Sequence, residues 1–262
     1  TVSIVPFTID GPRRIEMLLD VEPGRYYSDD ALLHYLNTRT CPEPEVVNMM
    51  YRLIKPGDVV IDAGANIGFF TILMSKLVGE NGSVIAIEPD GRNYALLTQH
   101  SSMNECRNVE YHMDAIGENG RPVFFTQMQE NGQSGIYFPE GLPNHYSMRL
   151  RGLDGFIAGR RPSFMKIDIE GAEYEALRNC DTSIPFIVCE LNKEALERAD
   201  SSVEELRELM DVWGHQTFLL HPDGSFPAQI DIKQKLIVSR SNTNVLFCNR
   251  RNLVKAWSEV IV

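Results

Sequence analysis

Short apolar runs alternate along this chain with segments that have the period of an amphipathic helix. Apolar runs bounded by turn residues predict buried strands, and their alternation with helices predicts an α/β fold, a parallel sheet with helices on both faces. The strands are expected at 59–63, 83–88, 109–113, 164–169 and 186–191, with a closing pair at 217–220 and 244–249.

The helices between these strands have their own signals. Phe70, Leu73, Met74 and Leu77 follow the i, i+3, i+4, i+7 spacing of a buried helix face, and Gly79 ends that helix. A second helix is expected at 92–103, and a capping box at 202–205 opens another.

Two regions depart from the alternation. Residues 1–50 combine two short strands with two helical segments, and we predict that they cap a main domain of residues 51–262. Residues 117–150 contain many glycines and some strand-like patches, which indicates a hairpin insertion or active-site loop. In that insertion Ser134 and His145 are candidates for contact with a substrate.

The turn at residues 62–68 carries the strongest chemical signal, because ligands of such sheets bind at the carboxyl ends of the strands. Gly64 allows a close approach of the backbone to a ligand, and Gly68 allows tight packing of the next helix. Asp62 disfavours a pyrophosphate and favours an ammonium group, and Asn66 replaces the middle glycine of a dinucleotide fingerprint. The turn therefore predicts a cofactor with an ammonium and a ribose, S-adenosylmethionine.

The next two strand ends supply candidates for the rest of that cofactor. Glu88 lies 24 positions after Gly64, close to the ~20-residue spacing of a ribose-binding acid. Asp114 is a candidate acceptor for the adenine amine, and the N–H of Ala115 is a candidate donor to a ring nitrogen. Asp62 is expected to orient the methionine amine, directly or through water.

Composition disfavours several other classes of protein. The net charge of −11 disfavours a broad grip on nucleic acid, and no apolar stretch approaches the ~20 residues of a membrane span. Five scattered cysteines without a C-x-x-C pair argue against a zinc site or a disulfide framework. Free cysteines are typical of a reducing compartment, so a cytoplasmic protein is expected. Its expected partner is a small-molecule or glycan acceptor, and the sequence leaves open whether the chain forms a homo-oligomer.

Three motifs occur in order, at 62–68, at 87–90 (Ile-Glu-Pro-Asp) and at 166–173 (Lys-Ile-Asp-Ile-Glu-Gly-Ala-Glu). Together they resemble the FkbM family of S-adenosylmethionine-dependent methyltransferases over roughly residues 45–250. The resemblance implies a Rossmann-like class I fold, with a mainly parallel seven-stranded sheet and an antiparallel C-terminal strand. It also implies O-methylation of a hydroxyl on a sugar, glycan or secondary metabolite.

A hydroxyl acceptor needs a base, or a metal that lowers its pKa. The candidate catalytic residues are Asp168, Glu170 and Glu190. One hypothesis is a general base whose pKa is raised by acidic neighbours. The other is a Mg²⁺ site formed by the oxygens of Asp168, Glu190 and Asn192. Glu173 can instead be a first-turn acid of a helix, as can Glu175.

Two other functions remain possible from the residues. An NAD(P)-dependent oxidoreductase fits the strand, turn and helix, but Asn66 and the lack of a Tyr-x-x-x-Lys signature disfavour it. A non-catalytic cofactor-binding module would keep the fold, and the acids at the strand ends argue against it.

Overall fold

The computed structural model describes residues 3–24, 27–126, 145–236 and 243–259. The first half of the chain forms β1 (Ser3–Ile9), β2 (Ile15–Val21), α1 (Tyr27–Thr38), α2 (Pro44–Leu53), β3 (Val59–Ala63), α3 (Phe69–Val78), β4 (Ser83–Ile87), α4 (Gly91–Met103), β5 (Val109–His112), β6 (Ala115–Ile116) and β7 (Pro122–Thr126). The second half forms β8 (His145–Arg151), α5 (Leu153–Ile157), β9 (Phe164–Ile167), α6 (Glu173–Arg178), β10 (Phe186–Leu191), α7 (Lys193–Arg198), α8 (Val203–Val212), β11 (Gln216–Leu219), β12 (Ala228–Ile230), β13 (Thr243–Cys248) and α9 (Arg250–Ser258).

The central sheet has the order β12-β11-β13-β10-β9-β3-β4-β5. Its strands from β10 to β5 are parallel, and β13 runs antiparallel between β10 and β11. The predicted Rossmann-like sheet with an antiparallel C-terminal strand is confirmed. The short strand β12 is added at its edge, antiparallel to β11, beside the seven predicted strands.

The central strands are apolar on both faces because helices cover both sides of the sheet. Val60 and Ile61 of β3 are fully buried but belong to different core clusters, one on each side. The predicted bounds of β3 and β10 agree with the structure, and the capping box holds, since Ser202 Oγ accepts the Glu205 N–H. This packing leaves the carboxyl ends of the parallel strands along one edge, where the candidate residues lie.

The N-terminal hairpin of β1 and β2 is fastened to α4 by buried polar side chains. Asn104 accepts the Leu18 N–H at 2.8 Å and donates to the Leu18 carbonyl at 2.7 Å. His100 is fully buried, accepts the Asp20 N–H at 3.0 Å and lies 2.7 Å from the carbonyl of Ile67. Because Ile67 belongs to the turn after β3, the hairpin is tied both to α4 and to that turn.

The Asn104→Ala variant is expected to lower the free energy of unfolding by about 1–3 kcal/mol, because both backbone groups of Leu18 lose their partner. Denaturant unfolding measures the loss. Ser102→Ala, at an exposed position of the same helix, is the matched control. Equal stability of the two variants would show that this amide does not fasten the hairpin.

Beyond β5 the chain builds a small second sheet, in which β8 pairs with β6 in parallel and with β7 antiparallel. The candidate Ser134 lies outside the described residues, and His145 begins β8, with its side chain outside the description. None of the helices in the described ranges combines the length and the apolar character that crossing a membrane requires.

Candidate active site

A cleft opens at the carboxyl ends of β3, β4 and β9. The predicted cofactor residues that line it are Gly64, Asn66, Glu88, Asp114 and Ala115. The predicted catalytic residues that line it are Asp168 and Glu170. Residues far apart in the sequence therefore meet around one cleft.

The turn after β3 forms the floor of this cleft. Gly64 has φ +82°, and a Cβ on it would lie 1.8 Å from the carbonyl oxygen of Asp168. Glycine is required there by conformation and by space. The Gly64 N–H donates to the carbonyl of Ile87 at 2.9 Å, and Asn66 also has a left-handed backbone, with φ 49°. The turn is thus closely fitted between the ends of β4 and β9.

Glu88 closes the second side of the cleft. Its buried carboxyl group accepts two backbone N–H groups at 2.8 Å, from Asn66 and from Asp90. Burial raises the pKa of Glu88 to about 7, although these N–H groups favour the ionised form. The carboxylate therefore has a fixed orientation at the rim of the turn, which suits the two hydroxyls of a ribose.

Asp62 lies behind the cleft rather than in it. Its side chain is fully buried, and Thr71 Oγ1 donates to Oδ2 at 2.5 Å. Burial raises the pKa of Asp62, and Lys166 opposes that rise. Oδ1 has no hydrogen-bond partner among the described residues. The predicted contact with a methionine amine stays a prediction. The hydrogen bond from Thr71 instead ties the Asp62 carboxyl group to α3.

Buried Lys166 and partly exposed Asp168 form an ion pair at the other end of the cleft. Lys166 is 3% exposed, and its Nζ donates to Asp168 Oδ2 at 3.0 Å. Burial by itself would raise the pKa of Asp168, but Lys166 and a hydrogen bond from Glu190 hold it below its ordinary value. Asp168 is therefore ionised at neutral pH, so the sequence prediction of a base with a raised pKa does not describe this residue.

Two acids beside Asp168, namely Glu190 and Glu170, have raised pKa values. Burial and the charge of Asp168 raise the pKa of Glu190 to about 10, so Glu190 is protonated and donates to Asp168. Burial, Asp168 and Glu173 raise the pKa of Glu170 to about 8. One ionised carboxylate thus stands beside two acids that keep their protons.

Glu173 and Glu175 have structural roles outside the cleft. Glu173 is buried and accepts the N–H groups of Ile169 at 2.9 Å and Gly171 at 3.0 Å. These bonds hold the loop that carries Glu170, whose own backbone is left-handed with φ 55°. Glu175 accepts a hydrogen bond from Arg121 at 2.6 Å.

The residues proposed for a Mg²⁺ site do not fit one. Asn192 Oδ1 caps α7 by accepting the Ala195 N–H at 3.0 Å. Oxygens of Asp168, Glu170 and Glu190 do lie within 4.8 Å of one another, a spacing that a cation could use. The ammonium of Lys166 already neutralises Asp168, however, and Glu190 holds a proton that a metal would have to displace.

Sequence reasoning gave no role to three residues at this end of the cleft, Lys166, Glu43 and Asn244. Asn244 of β13 lies opposite Glu190 and donates to Glu43 at 3.1 Å and to Glu45 at 3.0 Å. Glu43 is near enough to Lys166 and Asp168 for their charges to affect its pKa, which burial raises. Lys166 belongs to the motif at 166–173 and lies two residues before Asp168. Residues two apart on a strand share a face, so this spacing could have indicated the pairing. Nothing in the local sequence marked Glu43 or Asn244.

The Glu190→Gln variant is expected to have a flatter dependence of stability on pH. Folded Glu190 keeps its proton up to about pH 10, whereas the unfolded carboxyl loses it near 4.5, so the folded chain binds more protons between these values. The free energy of unfolding therefore falls as pH rises there, by up to about 1.4 kcal/mol per pH unit.

Denaturant unfolding at several pH values between about 6 and 9 measures this slope. Glutamine removes the titrating group and keeps a hydrogen-bond donor. Glu194→Gln, at an exposed position of α7, is the control. A slope in Glu190→Gln equal to that of the control would show that Glu190 titrates normally.

The sheet order, the glycine turn after β3 and the buried acid after β4 are those of the Rossmann-like class I methyltransferase fold. The pattern of the methyltransferase FkbM domain matches residues 62–217, more than half of the chain. The chain belongs to the FkbM methyltransferase family, as its motifs predicted.

Individual relatives are more distant. "Methyltransferase 1" of Beauveria bassiana is 23% identical over 210 residues, which cover 70% of this chain and 81% of the relative. The solved structure of an S-adenosylmethionine-dependent O-methyltransferase from Thermotoga maritima is 12% identical with a TM-score of 0.47, covering 93% of this chain and 77% of that one. A precorrin-6y C5,15-methyltransferase from Geobacter metallireducens is 16% identical with a TM-score of 0.43, covering 79% and 87%.

Proposed function

We propose that this methyltransferase acts on oxygen, at a hydroxyl of a small polar acceptor such as a sugar, a glycan or a secondary metabolite. The observation that carries the proposal is the carboxyl group of Asp168, which lines the same cleft as the glycine turn and accepts a hydrogen bond from Lys166 at 3.0 Å. An alcohol differs from a neutral amine in that it must lose a proton to become a good nucleophile, and a carboxylate in this position can accept it.

In this proposal the turn and the strand ends hold the cofactor. Glu88 accepts the ribose hydroxyls, while Asp114 and the N–H of Ala115 contact the adenine. Gly64 and Asn66 bring the backbone close to the methionine moiety, and Gly68 allows α3 to begin directly behind it. Asp62 orients the amine from the buried layer. When bound, S-adenosylmethionine supplies an activated methyl group and its own leaving group.

The acidic end of the cleft then activates the acceptor. Asp168 takes the hydroxyl proton onto a carboxylate oxygen as the acceptor oxygen forms its new bond to carbon. Lys166 keeps Asp168 ionised before the transfer, and Glu190, still protonated, donates to it. Glu170, on the loop beside them, contributes to the wall that contacts the acceptor. A positioned base of this kind contributes about 10²–10⁴-fold to the rate.

We also propose that residues 1–50 cap the methyltransferase domain of residues 51–262, in which 117–150 form an insertion. Support comes from the shared core of β1 and β2 with α3, and from the proximity of Glu43 to Lys166. The cap would then form part of the acceptor side.

The position of methylation tests the proposal. The protein is incubated with methyl-labelled S-adenosylmethionine and a panel of hydroxyl-bearing sugars and phenols, and products are located by mass spectrometry and NMR. We expect a methyl ether together with one equivalent of the demethylated cofactor. Transfer only to nitrogen or carbon across a panel that includes such acceptors would refute O-methylation.

A further inference from the structure

We propose that the buried ammonium of Lys166, and not a divalent cation, supplies the positive charge at the acceptor end of the cleft. Lys166 is thereby the positioning residue for Asp168. The inference rests on the proposed function, in which Asp168 is the base. It decides between the two mechanisms that the sequence left open, a general base and a bound metal.

The surroundings of Lys166 suit a permanent cation. Its side chain is 3% exposed, its Nζ lies 3.0 Å from Asp168 Oδ2, and the same Nζ lies 4.8 Å from the centre of the Phe70 ring. A cation over an aromatic face is attracted to the ring, so α3 contributes to holding it. The amine is thus fixed between the carboxylate and the ring.

Acids of four neighbouring segments lie near this one ammonium. Those that influence Lys166 are Asp168 after β9, Glu43 before α2, Asp62 of β3 and Glu190 of β10. Burial by itself would lower the pKa of Lys166, but these acids raise it above its ordinary value. The groups that interact electrostatically with Asp168 include Lys166, Glu43, Asp62, Glu190, Glu170 and Glu173. Lys166 therefore stays protonated throughout the pH range in which Asp168 has to act.

The same arrangement disfavours a metal. A divalent cation at the oxygens of Asp168, Glu170 and Glu190 would lie next to the Lys166 ammonium, and the two positive charges would repel each other. It would also displace the proton of Glu190. The charge that a metal would bring is already present.

Binding of Mn²⁺ as a paramagnetic probe tests the metal half of the inference without an acceptor. Wild type and Asp168→Asn are titrated with Mn²⁺ alone and followed by electron paramagnetic resonance. We expect the two proteins to bind the same amount of Mn²⁺. One equivalent bound by wild type and lost in Asp168→Asn would overturn the inference. Calorimetry with S-adenosylmethionine on the same wild-type sample tests the proposed function separately.

Infrared difference spectra test the positioning half. The spectrum of wild type minus Asp168→Asn reports the ionisation of Asp168, and the same difference is recorded in a Lys166→Met background. At neutral pH we expect the carboxylate band of Asp168 in the wild-type background. In the Lys166→Met background we expect this band to be replaced by that of a protonated carboxyl group. A carboxylate band that persists would overturn the inference.

A matched control and a check on folding complete this experiment. Lys193→Met, at an exposed lysine that pairs with Glu197, should leave the Asp168 band unchanged. The double variant Lys166→Met/Asp168→Asn leaves no buried charge of this pair unmatched and is expected to fold. If Lys166→Met by itself does not fold, the Mn²⁺ titration decides the inference.

Discussion

The Asp168→Asn variant is expected to lose methyl transfer by a factor of about 10²–10⁴ while its affinity for S-adenosylmethionine changes only a few-fold. Asparagine has the size of aspartate but cannot take the proton of the acceptor hydroxyl. The turn at Gly64 contacts the backbone carbonyl of residue 168, which the substitution keeps. Initial rates with an identified acceptor measure the loss, and calorimetry measures cofactor affinity.

Asp181→Asn, at an exposed position between α6 and β10, is the matched control and should have wild-type activity. Full turnover by Asp168→Asn would remove Asp168 from the mechanism. A parallel loss of cofactor affinity would instead show that Asp168 shapes the binding site.

The Glu88→Ala variant is expected to bind S-adenosylmethionine about 10²–10³-fold more weakly. Its carboxylate accepts the N–H groups of Asn66 and Asp90, and each charge-assisted bond contributes about 1.5–3 kcal/mol. About 1.4 kcal/mol corresponds to a tenfold change in affinity. Loss of the hydrogen bonds that the carboxylate makes to the turn and to the ribose therefore accounts for this range.

Glu88→Gln separates shape from charge. Its amide can accept one of the two N–H groups but presents a donor to the other, so an intermediate affinity is expected. Unchanged calorimetric affinity in Glu88→Ala would show that the ribose is held elsewhere.

The parts of the fold that sequence reasoning predicted well are those set by local patterns. The strand at 59–63 is a short apolar run between turn residues, and the glycines after it have the backbone angles that require glycine. The short helices α5 and α7 were not predicted, because a few residues give too little periodicity to read. The edge strand β12 has only three residues, too few for a readable pattern, and it pairs with β11.

The site was predicted less completely, because its electrostatics depend on contacts between distant segments. Glu43 and Asn244 are 201 positions apart and meet only in the folded chain. The sequence identified the acids at the strand ends. It cannot show which of them are protonated, because that depends on burial and on the charge of Lys166. Asp168 is ionised, whereas Glu190 and Glu170 have raised pKa values.

The most direct test of the central claim is a calorimetric titration of the wild-type chain with S-adenosylmethionine and with its demethylated product. We predict binding of one molecule of either ligand per chain, at the micromolar concentrations typical of enzyme cofactors and substrates. We also predict the loss of both in Gly64→Ala, whose new Cβ would lie 1.8 Å from the Asp168 carbonyl oxygen. Absence of binding by both ligands to the folded wild-type chain would contradict the assignment.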